Sequence, residues 1–220
     1  VISVDLTSNI LISKLTGSEF DKKGFAMKKK IQPAVLGASG EYLVLSKLLL
    51  QGFVAGKDPD NTADYDLLAS TKDGKNLSPI QVKTTRTTNQ WRMSEKHEKI
   101  IPKLIYCFVN LKTEDRPCFY VIDSKTVSTI LIRSHKIWKK YPRIDGQKKE
   151  DKKNSMRVIL KDYNKLSGLS SISKELSKKN ETLSKYLSQS DLNFLSEYSE
   201  GWIDKYENNW GKLNSHLKCN

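Results

Sequence analysis

Cysteine and histidine are scarce in this chain, and the way they are scattered removes several chemistries. There are three of each in 220 residues. Cys107, Cys118 and Cys219 form no even disulfide framework and no CxxC pair, so a reducing, cytoplasmic setting is expected rather than secretion. Cys107, inside an apolar run, reads as a small buried hydrophobe. His97, His135 and His216 stand far apart, which argues against a zinc site and against Cys–His or Ser–His–Asp catalysis. No uninterrupted apolar run reaches ~18 residues, so no membrane span and no membrane partner are expected. Gly37-Ala38-Ser39-Gly40 fits neither the phosphate-binding P-loop nor the dinucleotide fingerprint. Residues 28–40 imitate a signal peptide only faintly, because Gln32, Pro33 and Glu41 break the apolar core that such a peptide requires.

Acidic residues are also under-represented. The 38 Lys and Arg exceed the 25 Asp and Glu, leaving a net charge of +13, which suits a polyanionic partner. The excess is concentrated: residues 125–153 carry ten Lys and Arg against three acids. Arg133, Lys136, Lys139 and Lys140 lie in this block with Trp138 and Tyr141 interleaved, a composition that fits phosphate contact and stacking on nucleic acid. A lysine-rich solvated surface would look the same.

What the chain does have is a polar patch on an otherwise apolar hairpin. Residues 65–69 and 80–84 are apolar runs of strand length, and Asp73-Gly74 between them is a strong signal for a tight two-residue turn. If that turn forms, positions whose numbers sum to 147 face each other. Asp66 then faces Gln81, and Asp64 faces Lys83. Cross-strand partners share a face, as do residues two apart, so Asp64, Asp66, Gln81 and Lys83 fall together. Pro79 has no N–H for the ladder and is expected at a strand start or a bulge, which would slip the register by one. A salt-bridged hairpin, with Asp64 and Lys83 neutralising each other, is the structural alternative.

A helix is expected over residues 35–51, stopped by Gly52, with Val44, Leu45, Leu48 and Leu49 as its buried stripe. Glu41 shares that face. A carboxylate there is costly unless a cation or metal receives it.

Gly40-Glu41 on a first helix, Asp66 in a strand and Gln81-x-Lys83 in the next strand resemble the PD-(D/E)XK nuclease superfamily. The likeness is greatest to the branch with resolvase-like and group I intron homing endonucleases, where a Gln-x-Lys variant occurs. It covers residues 35–85, and more loosely the strands to Ile122. The resemblance implies a restriction-endonuclease-like core, DNA as substrate, and Mg²⁺ as cofactor, with Mn²⁺ able to substitute. It implies that Asp66 bridges metal, that Gln81 lends its amide oxygen, and that Glu41 completes the metal shell. Lys83 would orient or deprotonate the attacking water, and the products would carry 5′-phosphate and 3′-hydroxyl ends. The literal Pro59-Asp60 falls in a loop before the strand, and Asp66 is preferred over it. Gln81 is the departure: a neutral amide adds no charge, so metal binding is expected to be weaker than in a three-carboxylate site.

After the second strand, Thr84, Thr85, Arg86 and Arg92 offer hydroxyls and guanidinium groups suited to phosphate and base-edge contacts. Further strands are expected over 104–111 and 119–122. A helix capped by Asp123-Ser124 should then run towards Lys140, burying Val127, Ile130, Leu131 and Trp138, with Pro142 ending it. Residues 143–156 read as a charged loop, and 174–189 and 192–217 as helices. Trp202, Tyr206 and Trp210 recur every four residues, a stripe expected in a core or a dimer interface. A homodimer would suit a nuclease that cuts both strands.

The expected fold is therefore α/β, a mixed central β-sheet flanked by helices with an α-helical C-terminal extension. The expected organisation is 1–30 as an N-terminal arm or non-native extension, 31–142 as the nuclease-like core, and 143–220 as basic loop and helical extension. The expected activity is divalent-metal-dependent DNA hydrolysis. The rivals are a catalytically inactive nuclease fold that binds nucleic acid, and an interaction module whose basic helix meets an acidic protein.

Overall fold

The computed structural model describes residues 31–58, 64–86, 90–111, 116–150 and 157–218. Pro59-Asp60, Thr87 to Asn89, Lys152, Lys153 and Cys219 lie outside them. Residues 36–220 make one compact unit, and residues up to Val35 are assigned to another.

The first element is helix α1, Pro33–Leu50. Gly52 follows it with φ 83° and its N–H on the carbonyl of Leu49, the left-handed stop expected there. Val44 and Leu48 are fully buried and Leu45 partly so, but Leu49 is 52 % exposed and does not belong to the stripe. Averaged over its 18 residues α1 reaches a mean hydropathy of 1.2, long and apolar enough to cross a bilayer although Glu41 and Lys47 interrupt it. Its buried residues, Gly40, Val44 and Leu48, face the sheet core.

A mixed five-stranded sheet follows, ordered β1-β2-β3-β5-β6, from Val54–Lys57 (β1), Leu67–Ser70 (β2), Leu77–Thr85 (β3), Ile105–Asn110 (β5) and Cys118–Asp123 (β6). Only β3 and β5 run parallel. The β2–β3 register pairs Leu67 with Ile80 and Ser70 with Leu77, the pairing deduced from the Asp-Gly turn. The connection itself is longer than expected. It spans 71–76, with Gly74 at φ 70° donating to the carbonyl of Thr71 at 2.9 Å. Pro79 causes no slip. The Ile80 carbonyl accepts from the Asp66 N–H, so it points to β2, and the nitrogen of Pro79 points to the opposite edge. Pairing with β5 begins only at Ile80, so no ladder bond is lost.

Every residue of β5 is buried, as expected for a central strand covered on both faces. One face packs Ile80, Val82, Ile105, Cys107, Val109 and Val121 against α1 and the C-terminal helix α5, Gly211–Lys218. The other packs Tyr106, Phe108, Tyr120 and Ile122 against α2, Ser124–Lys140. The N-cap of α2 is Asp123, which accepts the Thr126 N–H at 2.9 Å.

Two strands escaped the sequence reading. Gln90–Met93 (β4) and Arg157–Leu160 (β7) pair antiparallel as a separate two-stranded sheet. The C-terminal helices are also shorter than expected. Leu169–Lys178 (α3) ends before Asn180 at φ 56°, and Gln189–Glu197 (α4) ends well before Gly201 at φ 88°. Trp202, Tyr206 and Trp210 therefore share no helix. Trp202 belongs to the α2-side core and Trp210 to the α1-side core.

Candidate active site

Asp66 sits just before β2, and its N–H shares the Ile80 carbonyl opposite Leu67 at 2.9 Å. Its Oδ2 accepts the backbone N–H of Val82 at 2.6 Å and a hydrogen bond from Gln81 Nε2. Gln81 itself is 5 % exposed, and its amide oxygen is left outside that bond. Alternation along β3 puts Gln81, Lys83 and Thr85 on one face and Ile80, Val82 and Thr84 on the other. Gln81 and Lys83 therefore share the face opposite α1. Asp66 is joined to Gln81 through its side chain, although its N–H meets the Ile80 carbonyl, one residue off the pairing that the turn implied.

Glu41 arrives from α1. Gly40 makes the approach possible: a Cβ built there would lie 1.8 Å from Thr84 Oγ1, so any side chain would force helix and strand apart. Glu41 is 18 % exposed and its Oε2 lies 3.0 Å from Lys57 Nζ. That oxygen is nevertheless buried without a hydrogen bond of acceptable geometry. Lys57, at the end of β1, is the cation that the buried-carboxylate argument called for, and the sequence reading had not named it.

The electrostatics tie these groups together. Burial pushes the Asp66 carboxyl above its usual range, with Glu41 adding to the rise, against the Val82 N–H, Lys83 and Gln81. Burial likewise pulls the Lys83 ammonium down, helped by Lys96, against Asp66 and Glu41. A carboxyl raised and an amine lowered by burial in one cluster mark a desolvated, electrostatically coupled site.

Asp64 does not join them. It is exposed, and its carboxylate lies 3.1 Å from Lys96 Nζ, so it neutralises Lys96 rather than Lys83. Among the described residues no group of three or more His, Cys, Asp and Glu stands ready to hold a metal. The donors that fit a hard cation are Asp66, the hydrogen-bond-deficient Glu41 Oε2 and the Gln81 amide oxygen.

Two neighbours of the site gave no sequence signal. His97, 5 % exposed, has Nδ1 3.0 Å from Tyr106 Oη, and Tyr106 is paired with Gln81 in the β3–β5 register. Burial, with Lys83 and Lys96 nearby, pulls the His97 pKa down to about 4. Nothing local in the sequence separates this histidine from the other two.

The residues expected to touch nucleic acid are dispersed. Thr84 is turned to the α1 side with its hydroxyl buried, away from Gln81 and Lys83. Thr85 is buried beside Asn110, Arg86 is half-buried, and Arg92 is exposed on β4. Arg133 donates to the Ser190 carbonyl at 2.8 Å, and Lys140 pairs with Asp191, so both pin α2 to the capping box that opens α4. Lys136 and Lys139 are exposed. Two cavities of about 580 and 520 Å³ lie elsewhere, lined by other residues.

No protein-family model matches the chain, and no curated protein matches it. Among solved structures, one of a bacterial homing endonuclease aligns with 17 % identity and a TM-score of 0.35, covering 44 % of this chain and 69 % of that one.

Proposed function

We propose that this protein is a divalent-metal-dependent DNA endonuclease of PD-(D/E)XK type, restriction-like or homing/resolvase-like. The observation that carries the reading is the Asp66 carboxylate bonded to Gln81 and the Val82 N–H, with Lys83 and the buried Glu41 carboxylate in electrostatic reach. Asp66, Glu41 and the Gln81 amide oxygen would hold Mg²⁺ or Mn²⁺. The ion, when bound, supplies Lewis acidity to a phosphoryl oxygen and a more acidic water. Lys83 places a fixed donor beside the non-bridging oxygens, and the carboxylates of Asp66 and Glu41 favour its charged form. Asp66, locked by the Val82 N–H, holds its second oxygen in a set direction. The net charge of +13 attracts the polyanion.

The test is incubation with supercoiled plasmid, branched DNA and RNA in Mg²⁺, Mn²⁺ or EDTA. Nicking or linearisation of DNA that needs the metal supports the reading, and cutting in EDTA overturns it.

One observation favours a second reading. Lys57 already faces Glu41, as expected of a nuclease fold that binds nucleic acid without cutting it. Such a protein would bind DNA equally with and without Mg²⁺.

A further inference from the structure

The turn after β4 brings a second ammonium to the mouth of this site. Lys96 lies on the short 3₁₀ turn Glu95–Glu98, and the turn is held from several sides. His97 Nδ1 meets Tyr106 Oη at 3.0 Å, one strand over from Gln81. Arg157, 6 % exposed, donates to Glu98 Oε1 at 2.9 Å, and Ser128 Oγ donates to the Glu98 carbonyl at 2.5 Å. The Ile101 N–H bonds to Ser124 Oγ at 2.9 Å.

Against this anchored main chain, the Lys96 side chain is 59 % exposed, and its partner Asp64 is 75 % exposed. An ion pair so solvated adds little stability, so it does not explain a lysine held there. Lys96 also sits within electrostatic reach of Lys83, where its like charge disfavours the Lys83 ammonium. Two ammonium groups at one site, Lys83 half-buried and Lys96 exposed on an exposed aspartate two residues from Asp66, complement adjacent charges on a polyanion.

We propose that Lys96 is a substrate-phosphate contact: it leaves Asp64 and binds a backbone phosphate next to the one that Lys83 addresses. This rests on the nuclease reading and names how that site grips its substrate. Phosphate contact acts through point charge, so arginine should replace lysine, whereas a neutral residue should not.

The experiment compares wild type, Lys96→Ala, Lys96→Arg and Asp64→Asn with one DNA duplex over a range of salt, reading equilibrium binding, KM, kcat and Tm. Lys96→Ala should raise KM about five- to tenfold with a smaller fall in kcat, and should lower the log–log salt slope of binding by about 0.9. Lys96→Arg should restore both, and Asp64→Asn should tighten binding. The proposal is overturned if Lys96→Ala keeps the wild-type salt slope, or if its only effect is a drop in Tm, which would mark a structural lysine. Should wild type cut no DNA with any metal, the nuclease reading fails while the salt slope still decides the phosphate contact.

Discussion

Gly40 and Thr84 meet so closely that the helix and the strand leave no room for a Cβ between them. Glu41, the next residue, owes its place beside Asp66 to that contact. Gly40→Ala should therefore destabilise the fold by about 1–3 kcal/mol, the usual range for overpacking. It should also weaken metal-dependent activity beyond what the loss of folded protein explains. Denaturant titration and assays on the folded fraction check both. Thr84→Ala in the same chain should recover part of the stability, since the nearest atom to the added methyl is Thr84 Oγ1.

Asp66→Asn and Lys83→Ala should each reduce cutting at least about a hundredfold while leaving circular dichroism and Tm close to wild type. Neither side chain belongs to the apolar core, so loss of activity with intact folding is the expected pattern. Cutting that survives both changes would remove the active-site assignment.

Gln81→Glu is the more discriminating substitution. Gln81 now donates to Asp66 Oδ2, and a carboxylate in its place would set two acids against each other in a buried position. Without metal the variant should be less stable than wild type. With Mg²⁺ it should bind the ion more tightly and cut at least as fast. Tm measured with and without Mg²⁺ reads the first effect, and a metal titration of activity reads the second.

His97 makes a prediction about acid. Its folded pKa of about 4 lies below the ordinary 6.5, because burial disfavours the imidazolium. Between these values the unfolded chain binds the extra proton, so stability rises with pH from about 4 to 6.5 and is lost as pH falls through that window. Replacing His97 with Gln should flatten this slope by an amount on the order of 1–3 kcal/mol. Urea titrations at pH 4.5, 5.5 and 7 of both proteins measure it.

How much of this was legible beforehand depends on the distance over which each feature is encoded. The pairing of Leu67 with Ile80 was readable because hairpin register is a local property, set by a turn and by alternation on either side, whereas the one-residue slip at Asp66 had no local signal. The cap at Asp123 and the stop at Gly52 were readable for the same reason. Leu49 was misplaced because periodicity gives a face but not how wide a strip of it the sheet covers. Strands β4 and β7 were missed because each has four residues and finds its partner only in the other. The spacing of Trp202, Tyr206 and Trp210 imitated a helix where Gly201 and Asn208, at positive φ, break the chain. Lys57, Lys96 and His97 reach the site through tertiary contacts, and no motif marks them.

The antiparallel partnership of β4 with β7 also has a temporal side. Met93 is matched with Arg157, and Arg157 in turn steadies Glu98 on the turn that carries Lys96. A polypeptide emerging from the ribosome has Glu41, Asp66 and Lys83 early, but the β4–β7 ribbon stays unbuilt until Leu160 has left the exit tunnel. The support of the turn that carries Lys96 is thus among the later parts of the sheet region to be completed.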